Sequence, residues 1–135
     1  MPVMRFLNTC IFDHGAVGKL AKTLGGYGVS KPFIVTDPGI KAVGLLDTIL
    51  EALGDIKPAY VFTDTVANPT EDQAILTAKL YTEHGADGIV ALGGGSSMDL
   101  AKAMSVLASL GGELSDYAAI SGGSGKIKNL PPMIA

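Results

Sequence analysis

Short apolar runs alternate with longer segments of helical periodicity from residue 31 onward, and this alternation limits the possible folds more than any other feature. The runs at 33–35, 60–62 and 89–92 are continuous and rich in β-branched or aromatic residues, which is typical of strands covered on both faces. The segments between them are too long for hairpin turns, so the connections must be crossovers. The sequence therefore predicts an α/β domain in which a parallel sheet has helices on both faces.

Apolar stripes at helical spacing fill the segments that flank these runs. The clearest is one predicted helix over residues 42–53. The stripe over 100–110 is also strong, the one over 74–81 is weaker, and the one over 17–24 is shorter. Glycine, proline and acidic residues mark the helix boundaries. The boundary residues are Gly25–Gly26, Gly54 and Gly85 at helix ends, the turn Asp37-Pro38-Gly39 before the second helix, and Pro69-Thr70 at the start of the third.

Composition narrows the class of protein. The chain has 135 residues, enough for one domain, of which 47% are hydrophobic and only 17% charged, so disorder is excluded. The apolar runs are far shorter than a membrane-spanning helix, the N-terminus does not resemble a secretory signal, and a net charge of −3 argues against a nucleic-acid partner. The single cysteine, Cys10, fits a reducing compartment and is expected to be a buried apolar side chain. We expect a cytoplasmic location and a small ligand.

A run of three glycines follows the strand that ends at residue 92 and leads into the helix over 100–110. Without β-carbons, Gly93-Gly94-Gly95 would let the backbone approach a bulky anion, and the helix that follows offers free N–H groups. This pattern indicates a pyrophosphate site. A simpler interpretation, which can hold at the same time, is a tight turn in which Ser96 caps the helix and Asp99 closes a capping box. Neither the G-x-G-x-x-G nor the Walker spacing is present, which weakens a kinase or ATPase interpretation.

Two further loops follow predicted strands and would reach the same edge of a parallel sheet, where ligands bind. Asp37 could accept hydrogen bonds from a ribose, and Asn68 or Thr70 could face a ligand. Each has a simpler interpretation as turn or helix-start chemistry. His14 and His84 lack partners at ligand or triad spacing, so the sequence offers no catalytic residue and no metal ligand.

The segment 93–103, together with Asp37-Pro38-Gly39 and Asn68-Pro69-Thr70, resembles the N-terminal domain of the iron-containing (group III) alcohol dehydrogenases. The order and spacing of these motifs hold from about residue 10 to the end. The resemblance implies a Rossmann-like sheet of the dehydroquinate synthase-like type. It also implies hydride transfer between NAD and primary or small secondary alcohols and their aldehydes or ketones, with a divalent metal such as Fe²⁺ or Zn²⁺ polarising the substrate oxygen.

The resemblance also assigns cofactor-binding residues. It places Gly94, Gly95 and Ser96 at the cofactor pyrophosphate, with Asp99 beside them. It places Asp37 at the adenosine ribose, where an acidic side chain favours NAD over NADP, and it aligns Asn68 with the asparagine of the family's P-N-P-T loop.

Members of the family continue into a helical domain that supplies an Asp and three His metal ligands. We therefore expect residues 1–135 to be the dinucleotide-binding domain without that metal-binding domain, and to be inactive alone. An apolar inter-domain face could support a homo-oligomer. Two alternatives stay open: a stand-alone nucleotide-binding or regulatory module without catalysis, and a relative similar to glycerol dehydrogenase or dehydroquinate synthase.

Overall fold

A four-stranded parallel sheet lies at the centre of the computed structural model, which describes residues 8–135. The elements in chain order are α1 Leu20–Gly26, β1 Pro32–Val35, α2 Pro38–Ala42, α3 Leu45–Ala52, β2 Tyr60–Phe62, α4 Glu71–Glu83, β3 Gly88–Ala91, α5 Gly95–Leu110 and β4 Met133–Ile134. The strand order is β2-β1-β3-β4, and each adjacent pair is parallel. The predicted α/β fold with a parallel sheet is confirmed.

Alternating side chains of β1 and β3 build a separate core on each face of the sheet. Phe33 and Val35 point to one face, where they pack with residues of α4 and α5. Ile34 and Val90 point to the other, where they pack with residues of α1 and α3. Both strands are buried at every position, which explains why their sequences are continuous apolar runs instead of alternating ones.

The prediction of one helix over 42–53 is wrong in one respect, because residue 42 ends one helix and a second helix begins at Leu45. Gly44 adopts a left-handed conformation with φ 81° and separates α2, which ends at Ala42, from α3. A residue with this conformation cannot continue a right-handed helix. The turn predicted at Asp37 is in fact the N-cap of α2, where the Asp37 carboxylate accepts a hydrogen bond from the backbone N–H of Ile40 at 2.9 Å.

The segments outside the central sheet are less regular. Three 3₁₀ turns, at Leu114–Tyr117, Ala119–Ser121 and Gly123–Lys126, connect α5 to β4. Cys10 is exposed, so the prediction that it is a buried apolar side chain is wrong: it precedes the first helix and lies outside both cores. Within residues 8–135, no helix has the length and apolar character needed to cross a membrane.

Candidate functional site

The order of the strands creates a crevice between the carboxyl ends of β1 and β3. The chain leaves β1 toward α2 and α3 on one face of the sheet, and it leaves β3 toward α5 on the opposite face. Adjacent parallel strands whose connections diverge in this way form a topological switch point, and ligands of open α/β sheets bind in the crevice outside it. The loops that begin at Thr36 and Leu92 form its two walls.

The β3–α5 loop presents backbone N–H groups at this crevice. Gly94 is the N-cap of α5 with no side-chain cap, and the first intrahelical bond runs from the N–H of Met98 to the carbonyl of Gly94 at 3.3 Å. The N–H groups of the first turn, on residues 95–97, precede that bond and are free of intrahelical partners. They lie at the positive end of a 16-residue helix, where an anion is stabilised.

The capping box predicted at the start of α5 does not form. The helix begins one residue before Ser96, which places Ser96 in the first turn instead of at the cap. Asp99 is exposed and forms an ion pair with Lys102, with Oδ1 and Nζ 3.6 Å apart. The capping interactions that would give these two residues a purely structural role are therefore absent.

The three glycines of the loop differ in what surrounds them. A β-carbon on Gly94 or Gly95 would meet no atom within 4 Å, so the backbone there is open to an approaching group. Gly93 has φ 140°, and a β-carbon there would lie 2.9 Å from the hydroxyl oxygen of Ser97 and 3.0 Å from Oδ2 of Asp37. Gly93 thus permits the close packing of the two walls, while Gly94 and Gly95 form an exposed cradle.

Asp37 and Asn68 both reach this region, as the sequence predicted. Asp37 uses Oδ1 to cap α2, and its Oδ2 faces Gly93 across the crevice. Asn68 has the left-handed φ of 52°, and its backbone N–H donates a hydrogen bond to the hydroxyl of Ser96 at 3.3 Å. The structure therefore brings the loops after β1, β2 and β3 together at one edge of the sheet.

Three buried hydroxyl groups near this edge were missed by the sequence reasoning. Thr36 directly follows β1, Thr65 follows β2, and Ser97 lies in the first turn of α5; none of their hydroxyl oxygens has a hydrogen-bond partner among the described residues. Buried polar groups without partners are uncommon and point to a functional edge. Only Thr36 carried a local sequence signal, because it is a hydroxyl residue directly after an apolar strand.

A cavity of about 280 Å³ lies beside the cradle, between the start of α4 and the first turns of α5. Asn68 and Asp99 line it, so these two predicted site residues share a surface that does not include the glycines. The remaining lining residues are Pro69, Thr70, Glu71, Ala74, Leu100, Ala103 and Leu114.

Neither histidine lines the cavity. His84 is the C-cap of α4, and its ring centroid is 4.6 Å from that of Tyr60. His14 is exposed in the segment before α1. In the part of the chain that the structure describes, no three His, Cys, Asp or Glu side chains are grouped so that they could hold a metal ion.

Comparison with known proteins gives a consistent result. A family model described as iron-containing alcohol dehydrogenase matches residues 8–135. The 4-hydroxybutyrate dehydrogenase of Cupriavidus necator is 41% identical over 136 residues, covering 100% of this chain and 35% of that protein. The choline dehydrogenase of Bacillus subtilis is 37% identical over 120 residues, covering 88% of this chain and 30% of that protein. The chain thus spans about a third of the length of these relatives.

Two solved structures of dehydrogenases or reductases have a similar fold. The sulfoacetaldehyde reductase from Bifidobacterium kashiwanohense, in complex with NAD⁺, has a TM-score of 0.72 and 26% identity, covering 90% of this chain and 31% of that one. The NADH-dependent butanol dehydrogenase A from Thermotoga maritima has a TM-score of 0.82 and 21% identity, covering 98% of this chain and 33% of that one, and it supports the fold alone.

Proposed function

The chain belongs to the iron-containing alcohol dehydrogenase family, and on that premise we propose that it is the NAD-binding part of an enzyme that transfers hydride between an alcohol and NAD. Its relatives are oxidoreductases that act on alcohols. The observation that carries the proposal is the uncapped start of α5, where two glycines with open space face the crevice beside the Asp37 carboxylate.

These residues fit a dinucleotide. The free N–H groups of the first turn of α5 would bind the pyrophosphate, and the absence of β-carbons at Gly94 and Gly95 lets its oxygens approach them. The Asp37 carboxylate, at the opposite wall, would accept hydrogen bonds from ribose hydroxyls and repel a 2′-phosphate, which favours NAD over NADP. Bound NAD supplies the hydride acceptor, and the chain's own residues bind and orient it.

The described residues do not fit the metal of the family. They contain no grouping of three or more metal donors, and we derive no step through a metal here. We propose that the 135-residue chain binds the cofactor but does not oxidise an alcohol, because polarisation of the substrate oxygen would need ligands from elsewhere. We propose that the substrate of the whole protein is an alcohol or an aldehyde, as the names of its relatives indicate.

Titration of the purified chain with ADP-ribose by isothermal calorimetry tests the proposal. ADP-ribose contains the pyrophosphate and both riboses but no nicotinamide, so it isolates the contacts assigned to this chain. We expect saturable binding with one site, weaker binding of the 2′-phosphorylated analogue, and no NADH formation from NAD, an alcohol and Fe²⁺ or Zn²⁺. Absence of ADP-ribose binding would overturn the proposed cofactor site, and NADH formation by the chain alone would overturn its lack of catalysis.

A further inference from the structure

The loop between β2 and α4 carries Asn68 to the start of α5. Two hydrogen bonds donated by its backbone N–H groups attach it to the neighbouring loops: the N–H of Thr65 donates to the carbonyl of Thr36 at 3.3 Å, and the N–H of Asn68 donates to Ser96 Oγ at 3.3 Å. Both are long for N–H···O bonds. A third contact holds the loop between these two bonds.

Gln73 forms that attachment from the first turn of α4. Its side-chain Nε2 donates a hydrogen bond to the carbonyl of Asp64 at 2.7 Å, and its Oε1 accepts one from the N–H of Val66 at 3.2 Å. The side chain is half-buried, and it satisfies one donor and one acceptor on the same short loop. A single amide therefore pairs with the loop backbone at two points, two and four residues before Asn68.

This use of Gln73 departs from what its sequence position indicates. Thr70-x-x-Gln73 has the spacing of a capping box, in which the glutamine side chain would return to the N–H of the cap residue. The structure keeps half of that motif, since Thr70 Oγ1 accepts a hydrogen bond from the N–H of Gln73 at 3.3 Å. The side chain turns to the loop instead, so the first turn of α4 and the loop are coupled through one residue.

We propose that Gln73 is a positioning residue for the dinucleotide site, which holds the 64–68 loop so that Asn68 stays against Ser96 at the start of α5. The effect on nucleotide binding rests on the proposed function. The geometric part does not, because it concerns only the contact between Asn68 and Ser96. Loss of the Gln73 amide leaves the Asp64 carbonyl and the Val66 N–H without these partners, and the left-handed backbone of Asn68 then loses its support.

The test compares Gln73→Met, which keeps the length of the side chain but not its hydrogen bonds, with Asp72→Asn, an exposed neighbour in the same turn. We expect amide hydrogen exchange at Asn68, followed by NMR, to be about tenfold faster in the Met variant and unchanged in the control. We also expect ADP-ribose to bind about tenfold more weakly to the Met variant. Gln73→Glu keeps an acceptor for Val66 but no donor for Asp64, so its effects should be intermediate.

The outcomes separate the two proposals. Unchanged exchange at Asn68 in both Gln73 variants, with the folded state confirmed by thermal melting, would overturn the positioning role. If exchange at Asn68 is faster in the Gln73 variants but their affinity for ADP-ribose equals that of the wild type, Gln73 holds the loop without affecting binding, and its role in binding is overturned. Failure of the wild type to bind ADP-ribose would overturn the proposed function, and the exchange rates would still decide whether Gln73 holds Asn68.

Discussion

Oδ2 of Asp37 lies 3.0 Å from the point that a β-carbon on Gly93 would occupy, so the two walls of the crevice meet at a position where only a hydrogen atom fits. The hydroxyl of Ser97 approaches the same point to 2.9 Å. Gly93 also has φ 140°, which residues with side chains rarely adopt. The contact between the β1 and β3 loops thus depends on one glycine, and its neighbours Gly94 and Gly95 are free of that constraint.

Gly93→Ala is therefore expected to lower stability, whereas Gly95→Ala is expected to weaken ligand binding. Alanine at 93 is strained and collides with Asp37 and Ser97, so we expect the free energy of unfolding to fall by about 2 kcal/mol or more. Alanine at 95 meets open space in the first turn of a helix, so stability should be unchanged within about 0.5 kcal/mol. Its methyl group would obstruct the phosphate approach and weaken ADP-ribose binding about tenfold.

Urea denaturation and calorimetric titration measure both effects, and Gly25→Ala provides the control. Gly25 lies in α1, away from the crevice, and a β-carbon there also meets nothing within 4 Å. If Gly25→Ala and Gly95→Ala weaken ADP-ribose binding equally, the cradle assigned to Gly95 is incorrect.

Replacement of Asp37 by serine should change cofactor preference with little change in fold. Serine keeps an oxygen that can accept the hydrogen bond from the N–H of Ile40, so α2 retains its cap. The negative charge at the crevice is removed, and a 2′-phosphate is no longer repelled. We expect the ratio of affinities for ADP-ribose and its 2′-phosphorylated analogue to shift by about tenfold toward the latter. The same ratio in Asp55→Asn, an exposed acid before β2 at the amino end of the sheet, should stay at the wild-type value.

Asp87 is expected to make the fold sensitive to acid. Its carboxylate accepts hydrogen bonds from the N–H and hydroxyl of Ser30, at 2.9 and 2.7 Å, and from the N–H of Lys31 at 2.8 Å. Burial raises the pKa of Asp87, but these hydrogen bonds outweigh it and hold the pKa below its usual value. These contacts join the chain just before β1 to the chain just before β3.

Since the pKa of Asp87 is lower in the folded state, the carboxylate stabilises the protein at pH values above its unfolded pKa of about 4. That stabilisation is lost as the pH falls through the folded pKa. Because solvent screens this carboxylate, Asp87→Asn should cost no more than about 1 kcal/mol at pH 7, and the cost should decrease below about pH 4. Chemical denaturation across pH measures this, with Asp55→Asn, an exposed acid, as the control. A cost that is constant from pH 7 to pH 3 would contradict the assignment.

Gly88 and Val29 are expected to be energetically coupled. A β-carbon on Gly88 would lie 2.5 and 2.7 Å from the two γ-carbons of Val29, which is 3% exposed. Gly88→Ala should lower the free energy of unfolding by about 2 kcal/mol, because the start of β3 or the valine must move. Val29→Ala removes both γ-carbons and should cost about 1–2 kcal/mol alone. In the double variant we expect the free energy of unfolding to fall by less than the sum of the two single losses, because alanine at 29 leaves room for the new β-carbon. Strictly additive losses would show that the two residues are not coupled.

Sequence reasoning identified the regular elements because their signals are local. Buried strands such as β1 read as continuous apolar runs, and Thr70 and Gly85 mark the start and end of α4 through backbone chemistry that involves only near neighbours. The division at Gly44 was missed because the apolar stripe continues across it, and periodicity does not reveal the backbone conformation of a single glycine. Cys10 was predicted to be buried from its residue type alone, whereas it lies before the first helix and outside both cores.

The sequence by itself determined the parallel α/β class, the positions of β1, β2 and β3, and the three loops that follow these strands. Only the tertiary structure decided how those loops combine: that Gly93 brings Asp37 and Ser97 together, that Gly94 caps α5 without a side chain, and that Gln73 reaches the loop before Asn68. The physical reason is distance along the chain. Strand and cap signals lie within a few residues, whereas Asp37 and Gly93 are far apart in sequence and meet only once the sheet has set the order of its strands.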